Sequence, residues 1–145
     1  MATRGFEYAY SLDGSTPLIK DLPVNSTGAF AAGDLVVLNS SGYLARVTST
    51  TGEVTGVMQE TRASGASAAL MKCAIITRDQ VWRCSMDAAT TAFVVGYTKT
   101  VDTVDHNTLS STDSTGGCAI LWDKSELDDD GNVLAYVLFA VPTFA

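Results

Sequence analysis

His106, the one histidine among 145 residues, stands beside Asp105 in the polar run DHNTLSSTDSTGG. A Ser-His-Asp mechanism needs such a base, but no GxSxG stretch supplies the strained nucleophile that the base would serve. His106 therefore reads as an exposed loop residue. HExxH and Walker patterns are absent as well. The acidic run ELDDDGN invites a calcium test, because hard cations want several carboxylates on one tight loop. Aligned on Gly131, the EF-hand pattern puts Glu126, Asp128 and Asp130 at its first three ligand positions. It then places Val137 where the closing bidentate glutamate belongs. The run reads instead as an acidic turn tipped by Asp130-Gly131. Cys73, Cys84 and Cys118 are odd in number and form no CxxC pair. That argues against a disulfide framework or a zinc site and for thiols packed in a core, in a reducing compartment. No carboxylate pair is singled out by spacing for glycoside hydrolysis. The expectation is a protein without catalytic residues, bound metal or cofactor.

Aromatic side chains offer a second chemistry, the stacking of sugar rings. Trp82, Trp122, Tyr97 and Tyr136 are the candidates, but most sit inside apolar runs, so they are expected in the core with tyrosine hydroxyls reaching the rim. Phe6, Tyr8 and Tyr10 differ. They alternate with Glu7 and Ala9 in FEYAY, which puts three aromatic rings on one face of an extended segment. Two readings stay open for this triplet: a first strand covering the domain, or an anchor on a neighbouring subunit.

Charge narrows the partners. Nine Lys plus Arg against sixteen Asp plus Glu give a formal net charge of -7 and a pI near 4.4. The cations are dispersed singly along the chain, whereas phosphate binding needs them clustered, so nucleic acid is not an expected partner. An anionic membrane surface is disfavoured on the same ground. The longest apolar run, residues 133–142, is about half of what a helix needs to cross a bilayer. The start MATRGFEYAYSLDG lacks a long apolar segment after its basic residue, so no secretory signal is expected.

Hydrophobic residues reach 46% and charged residues only 17%, beside abundant Ser, Thr and Gly, a composition for β structure with short turns. After FEYAY, Asp13-Gly14 turns the chain. Pro17 and Pro23 then hold residues 15–28 extended. This stretch reads as an arm, able to reach roughly 45 Å, with Leu18, Ile19, Leu22 and Val24 as apolar anchors. Residues 34–60 read as three antiparallel strands, turned at NSSG and STTG, with Gly56 marking a bulge or a close backbone approach. The small-residue stretch RASGASAAL, residues 62–70, could be a loop or a short helix and reads as a loop. Residues 70–77 and 80–86 read as a strand pair joined through Arg78-Asp79, with Trp82, Cys84 and Met86 facing the core. A strand near residues 93–97, a polar loop at 105–117, a short strand at 119–122, the acidic turn and a last strand at 133–141 complete eight to ten strands with no long helix. The expected fold is all-β. It is a single small β-barrel, β-tulip-like or sandwich domain of mostly antiparallel strands, residues 29–145, preceded by an N-terminal strand and extended arm, residues 1–28.

The order FAAGDLVVLNSSGYLARV, then TGEVTGVMQE, a strand pair, a long polar segment and the closing VLAYVLFAVPTFA resembles the small capsid cement or decoration proteins of tailed bacteriophages. The likeness is carried by the Gly33-Asp34-led apolar strand, the Gly42-led return strand and the Gly56-Val57 step, and it covers residues 16–86. It implies a β-barrel or β-tulip-like domain, trimeric, on the outer capsid surface at local three-fold positions, clamping adjacent major capsid proteins without catalysis. It also implies manufacture in a bacterial cytoplasm and an arm, here residues 16–24, lying across a neighbour. Phe6, Tyr8, Tyr10, Leu18, Ile19, Leu22 and Val24 are then the expected contacts to the capsid or to a neighbouring subunit. Deleting residues 1–24 is expected to leave the core folded and to abolish attachment. The rivals are a carbohydrate-binding β-sandwich or adhesin-like module, which needs Trp82 or Trp122 exposed, and a small hydrolase, which needs His106 or a carboxylate pair in a pocket.

Overall fold

A computed structural model describes residues 5–24, 29–47, 53–62, 69–86, 96, 98–99, 119–127 and 133–144. Twelve strands and no helix occur among them: β1 (Glu7–Ser11), β2 (Ile19–Pro23), β3 (Leu35–Leu38), β4 (Leu44–Arg46), β5 (Glu53–Val54), β6 (Gly56–Met58), β7 (Leu70–Ile75), β8 (Gln80–Ser85), β9 (Thr98–Lys99), β10 (Ala119–Leu127), β11 (Val133–Phe139) and β12 (Val141–Pro142). They form one five-stranded sheet in the order β1-β8-β11-β10-β9 and a second in the order β2-β7-β6-β3-β4. A short parallel pair, β12 with β5, sits beside them. The domain is a small all-β sandwich built of antiparallel sheets.

Two cores follow from this layering. The larger lies between the sheets and gathers Phe6, Leu35, Val57, Ile76, Trp82, Leu121, Val137 and Phe139, all nearly sealed from water. The second belongs to the β2-β7-β6-β3-β4 sheet alone, where Leu22, Val24, Phe30, Val36, Leu44, Met58 and Met71 pack together. That sheet is rolled far enough for its edges to touch at one isolated parallel bridge, Val24 to Leu44, yet no continuous ladder joins them and the barrel is not closed.

The resemblance-bearing residues have local physical jobs. Gly33 holds φ +96° and its Cα lies against that of Gly5, so a side chain at either position would collide with backbone. Buried Asp34 accepts the Ala31 N–H at 2.9 Å and faces Arg46 Nε at 3.2 Å, pinning the turn that launches β3. At NSSG, Asn39 Oδ1 accepts the N–H groups of Ser41 and Tyr43, both at 3.0 Å. Gly56 is the close approach expected from the sequence: a Cβ there would fall on the Ala74 carbonyl and the Cys73 sulfur.

Four local expectations are corrected. Residues 70–77 and 80–86 do not pair with each other: β7 joins one sheet through β2 and β6, and β8 joins the other through β1 and β11. The chain crosses between sheets at Arg78-Asp79 because β1 and β2 make the same crossing alongside, so both strands keep partners. The third strand of residues 34–60 is split at Thr55, and its first half pairs in parallel with β12 rather than with the return strand. Asp123 to Leu127 continue β10 rather than turning, because β11 supplies a partner through two register shifts. The last strand divides after Phe139 into β11 and β12. Of the loop expected at 62–70, Arg62 forms an isolated bridge with Phe30 and Leu70 opens β7, while residues 63–68 lie outside the described residues. The strand near residues 93–97 and the polar loop 105–117 also lie outside them, apart from Gly96.

Candidate functional site

The N-terminal strands account for most of the residues expected to make contacts. Phe6 and Tyr8 turn inward: Phe6 packs on Phe139 with ring centroids 5.8 Å apart, and Tyr8 meets Trp82 edge-on at 5.7 Å. Tyr10 does not share their face. Glu7 pairs with Arg83 and Tyr8 with Trp82, but Tyr10 pairs with Val81, so Ala9 is an extra residue in β1 and the alternation slips there. Trp82 faces the core, Val81 therefore faces out, and Tyr10 goes with it. Leu22 and Val24 are buried in the second core. Leu18 and Ile19, at 67% and 49% exposure, stand in solvent.

The stretch expected as an arm is thus laid along its own domain. Ile19 pairs with Ala74 and Pro23 with Leu70, which makes β2 the edge strand of the second sheet, as β1 is of the first. Residues 12–18 cross from one sheet edge to the other. Removing residues 1–24 would take away both edge strands together with Phe6, Leu22 and Val24, so that deletion cannot leave the core intact.

Between these edges a cleft of about 540 Å³ opens, lined by Phe6, Tyr8, Pro17, Ile19, Met58 and Trp82, with Glu7 and Gln59 also on its wall. Beside it, the chain crosses at the Thr77–Gln80 turn, where Leu12 N–H donates to Asp79 O at 2.7 Å and Leu18 O accepts from Ile75 N–H at 2.8 Å. Leu12 is 53% exposed. Leu12, Leu18 and Ile19 are thus the exposed large apolar side chains of the stretch that joins β1 to β2, and of the three Ile19 lines the cleft.

The outer face of the first sheet is a separate surface. Across four strands the register sets Glu7, Arg83, Tyr136 and Asp123 in one row. Arg83 reaches Glu7 at 3.3 Å. The hydrogen bond that Arg83 donates to the Tyr136 hydroxyl first, and Glu7 after it, hold the Arg83 guanidinium above its already high usual range. Trp122 is the bulged residue of β10, between Leu121 opposite Val137 and Asp123 opposite Tyr136, and its indole N–H donates to Tyr10 Oη at 3.0 Å. Both rings are about two-fifths exposed. Of the other sequence candidates, Trp82 is sealed in the core, while Tyr97 and His106 lie outside the described residues. Glu126 sits in β10 and Val137 in β11, so the twelve-residue span is not one loop as an EF-hand needs, and Asp128 and Asp130 lie outside the described residues. Among the described residues no three His, Cys, Asp or Glu side chains converge on a point where a metal would sit, and no helix is long and apolar enough to cross a membrane.

Sequence reasoning missed the Tyr10–Trp122 pair because alternation along β1 put Tyr10 on the face of Phe6 and Tyr8, and because Trp122 lies in an apolar run that reads as core. Set against known proteins, the chain matches no family model and no curated protein.

Proposed function

We propose that this chain is a structural virion protein that binds the outer surface of a tailed-phage capsid and stabilises the expanded shell by clamping adjacent major capsid proteins. The observation that carries the reading is the exposure of Leu12, Leu18 and Ile19 in the stretch from β1 to β2, with Ile19 on the wall of the open cleft. A small rigid sandwich with such exposed side chains suits a clamp: each copy covers a modest area across a seam, and many copies on one shell add through multivalency. The resemblance of residues 16–86 to capsid decoration proteins supports the same reading, as does an acidic chain acting away from the genome. In this account the protein is not an enzyme, takes no cofactor, self-associates as a homotrimer, is made in the host cytoplasm and ends on the outer capsid surface. Its contacts are with the major capsid protein rather than nucleic acid or membrane. The test is the thermal stability of expanded empty shells with and without the purified chain. A raised melting temperature that saturates with added chain is expected; unchanged melting at saturating chain overturns the proposal.

A further inference from the structure

We propose that the outer face of the β1-β8-β11-β10-β9 sheet is a second binding surface, for neutral glycans, centred on the linked rings of Tyr10 and Trp122. Tyr10 and Trp122 belong to strands three apart, about 14 Å across the sheet, yet their side chains meet through the 3.0 Å hydrogen bond. Val81, the register partner of Tyr10, is fully buried.

The bond also limits what the rings can recognise. Proline-rich peptides dock on aromatic grooves, and an exposed indole N–H is the natural donor to their carbonyls. Here the Trp122 N–H is already given to Tyr10. With that N–H committed, the pair, about two-fifths exposed at each ring, is left to recognise a ligand through its aromatic faces, which suit the C–H face of a sugar ring. Sugar hydroxyls need donors and acceptors at the side of the platform. The row Glu7, Arg83, Tyr136 and Asp123 offers carboxylates, a guanidinium and a phenol, with Glu7, Arg83 and Asp123 partly or largely exposed. The net charge of -7 repels polyanionic glycans and nucleic acid, which leaves neutral oligosaccharides as the ligand class. This surface differs from the one at Leu12, Leu18 and Ile19, so the two proposals stand or fall separately.

The chain has two tryptophans, and the structure buries Trp82 while exposing Trp122, so emission can be followed at the proposed site. The experiment titrates the full-length protein with cellohexaose, maltohexaose and chitohexaose at up to millimolar concentration, with a proline-rich peptide in parallel. At least one oligosaccharide is expected to shift Trp122 emission and protect it from acrylamide quenching. Trp122→Ala should weaken binding roughly tenfold or more, read by calorimetry, and Trp122→Phe only a few-fold. The blue emission of buried Trp82 in Trp122→Ala shows that the variant is folded; should it be lost, Tyr10→Ala carries the same test. No response to any of the three sugars, equal binding by folded Trp122→Ala and Tyr10→Ala, or a response to the peptide alone overturns the proposal.

Discussion

At Gly56 the backbone of β6 runs so close to β7 that the missing side chain is the condition of the contact. Any Cβ would meet the Ala74 carbonyl and the Cys73 sulfur, and neither can retreat without opening the strand pair. Gly56→Ala should therefore destabilise the fold by about 2–3 kcal/mol, measured as a lowered urea midpoint with unchanged slope. The neighbouring thiol gives a second reading of the same packed site. Burial pushes Cys73 up to about 12 from an ordinary value of 9.0. The folded chain holds this proton more tightly than the unfolded chain. The resulting stabilisation is complete below about pH 9 and is lost as pH rises from there toward 12. Wild type should thus lose stability faster than Cys73→Ala above pH 9, and the difference between the two urea midpoints across that range is the measurement. Gly56 was legible in the sequence because a glycine inside a strand pattern has few uses. The partner it approaches was not, since sheet order is a property of the whole chain.

Among the elements, the doubled crossing between sheets is the feature on which the architecture turns. β1 pairs with β8 in one sheet and β2 with β7 in the other, so two chain segments pass together from sheet to sheet. Gln80 secures the passage: its Oε1 accepts the Thr77 N–H at 3.0 Å and the buried Trp82 indole N–H at 3.1 Å. Gln80→Leu would strand both donors and should cost about 1–3 kcal/mol by thermal or urea unfolding. Alternation along β8 correctly placed Trp82, Cys84 and Met86 in the core, because a central strand keeps one face inward whatever its neighbours are. Hairpin logic failed at Arg78-Asp79 for a physical reason: a short polar turn serves a crossover as well as a hairpin, and only the partners β2 and β1 decide between them. Ala9 defeated alternation likewise. One extra residue moved Tyr10 to the outer face, and nothing in the local residue types marks the slip.

Over the whole molecule, the N-terminal segment is both framework and surface. Its buried residues, Phe6, Leu22 and Val24, close two cores, while Leu12, Leu18 and Ile19 remain exposed. A chain lacking residues 1–24 should accordingly lose its cooperative unfolding transition and its near-ultraviolet circular dichroism, rather than remain a folded core without an arm. The all-β class was readable from composition and strand spacing. The sandwich was one of the readings open, and the rolled but unclosed second sheet could not be chosen from alternation, which is the same on a barrel and on a sandwich. Of the contact residues expected from the sequence, Leu18 and Ile19 are exposed, whereas Leu22 and Val24 are buried in the second core. The sequence could not divide inward from outward residues where β2 forms a sheet edge. The central claim is that these exposed residues attach the protein to a capsid. The direct measurement is co-sedimentation of the chain with expanded tailed-phage shells, comparing wild type with the double substitution Leu18→Asp and Ile19→Asp. Both residues are solvent-exposed, so the variant should keep the wild-type urea midpoint. Saturable binding by wild type and its loss in the equally folded variant is the predicted result; no binding by wild type, or equal binding by both, would contradict the account.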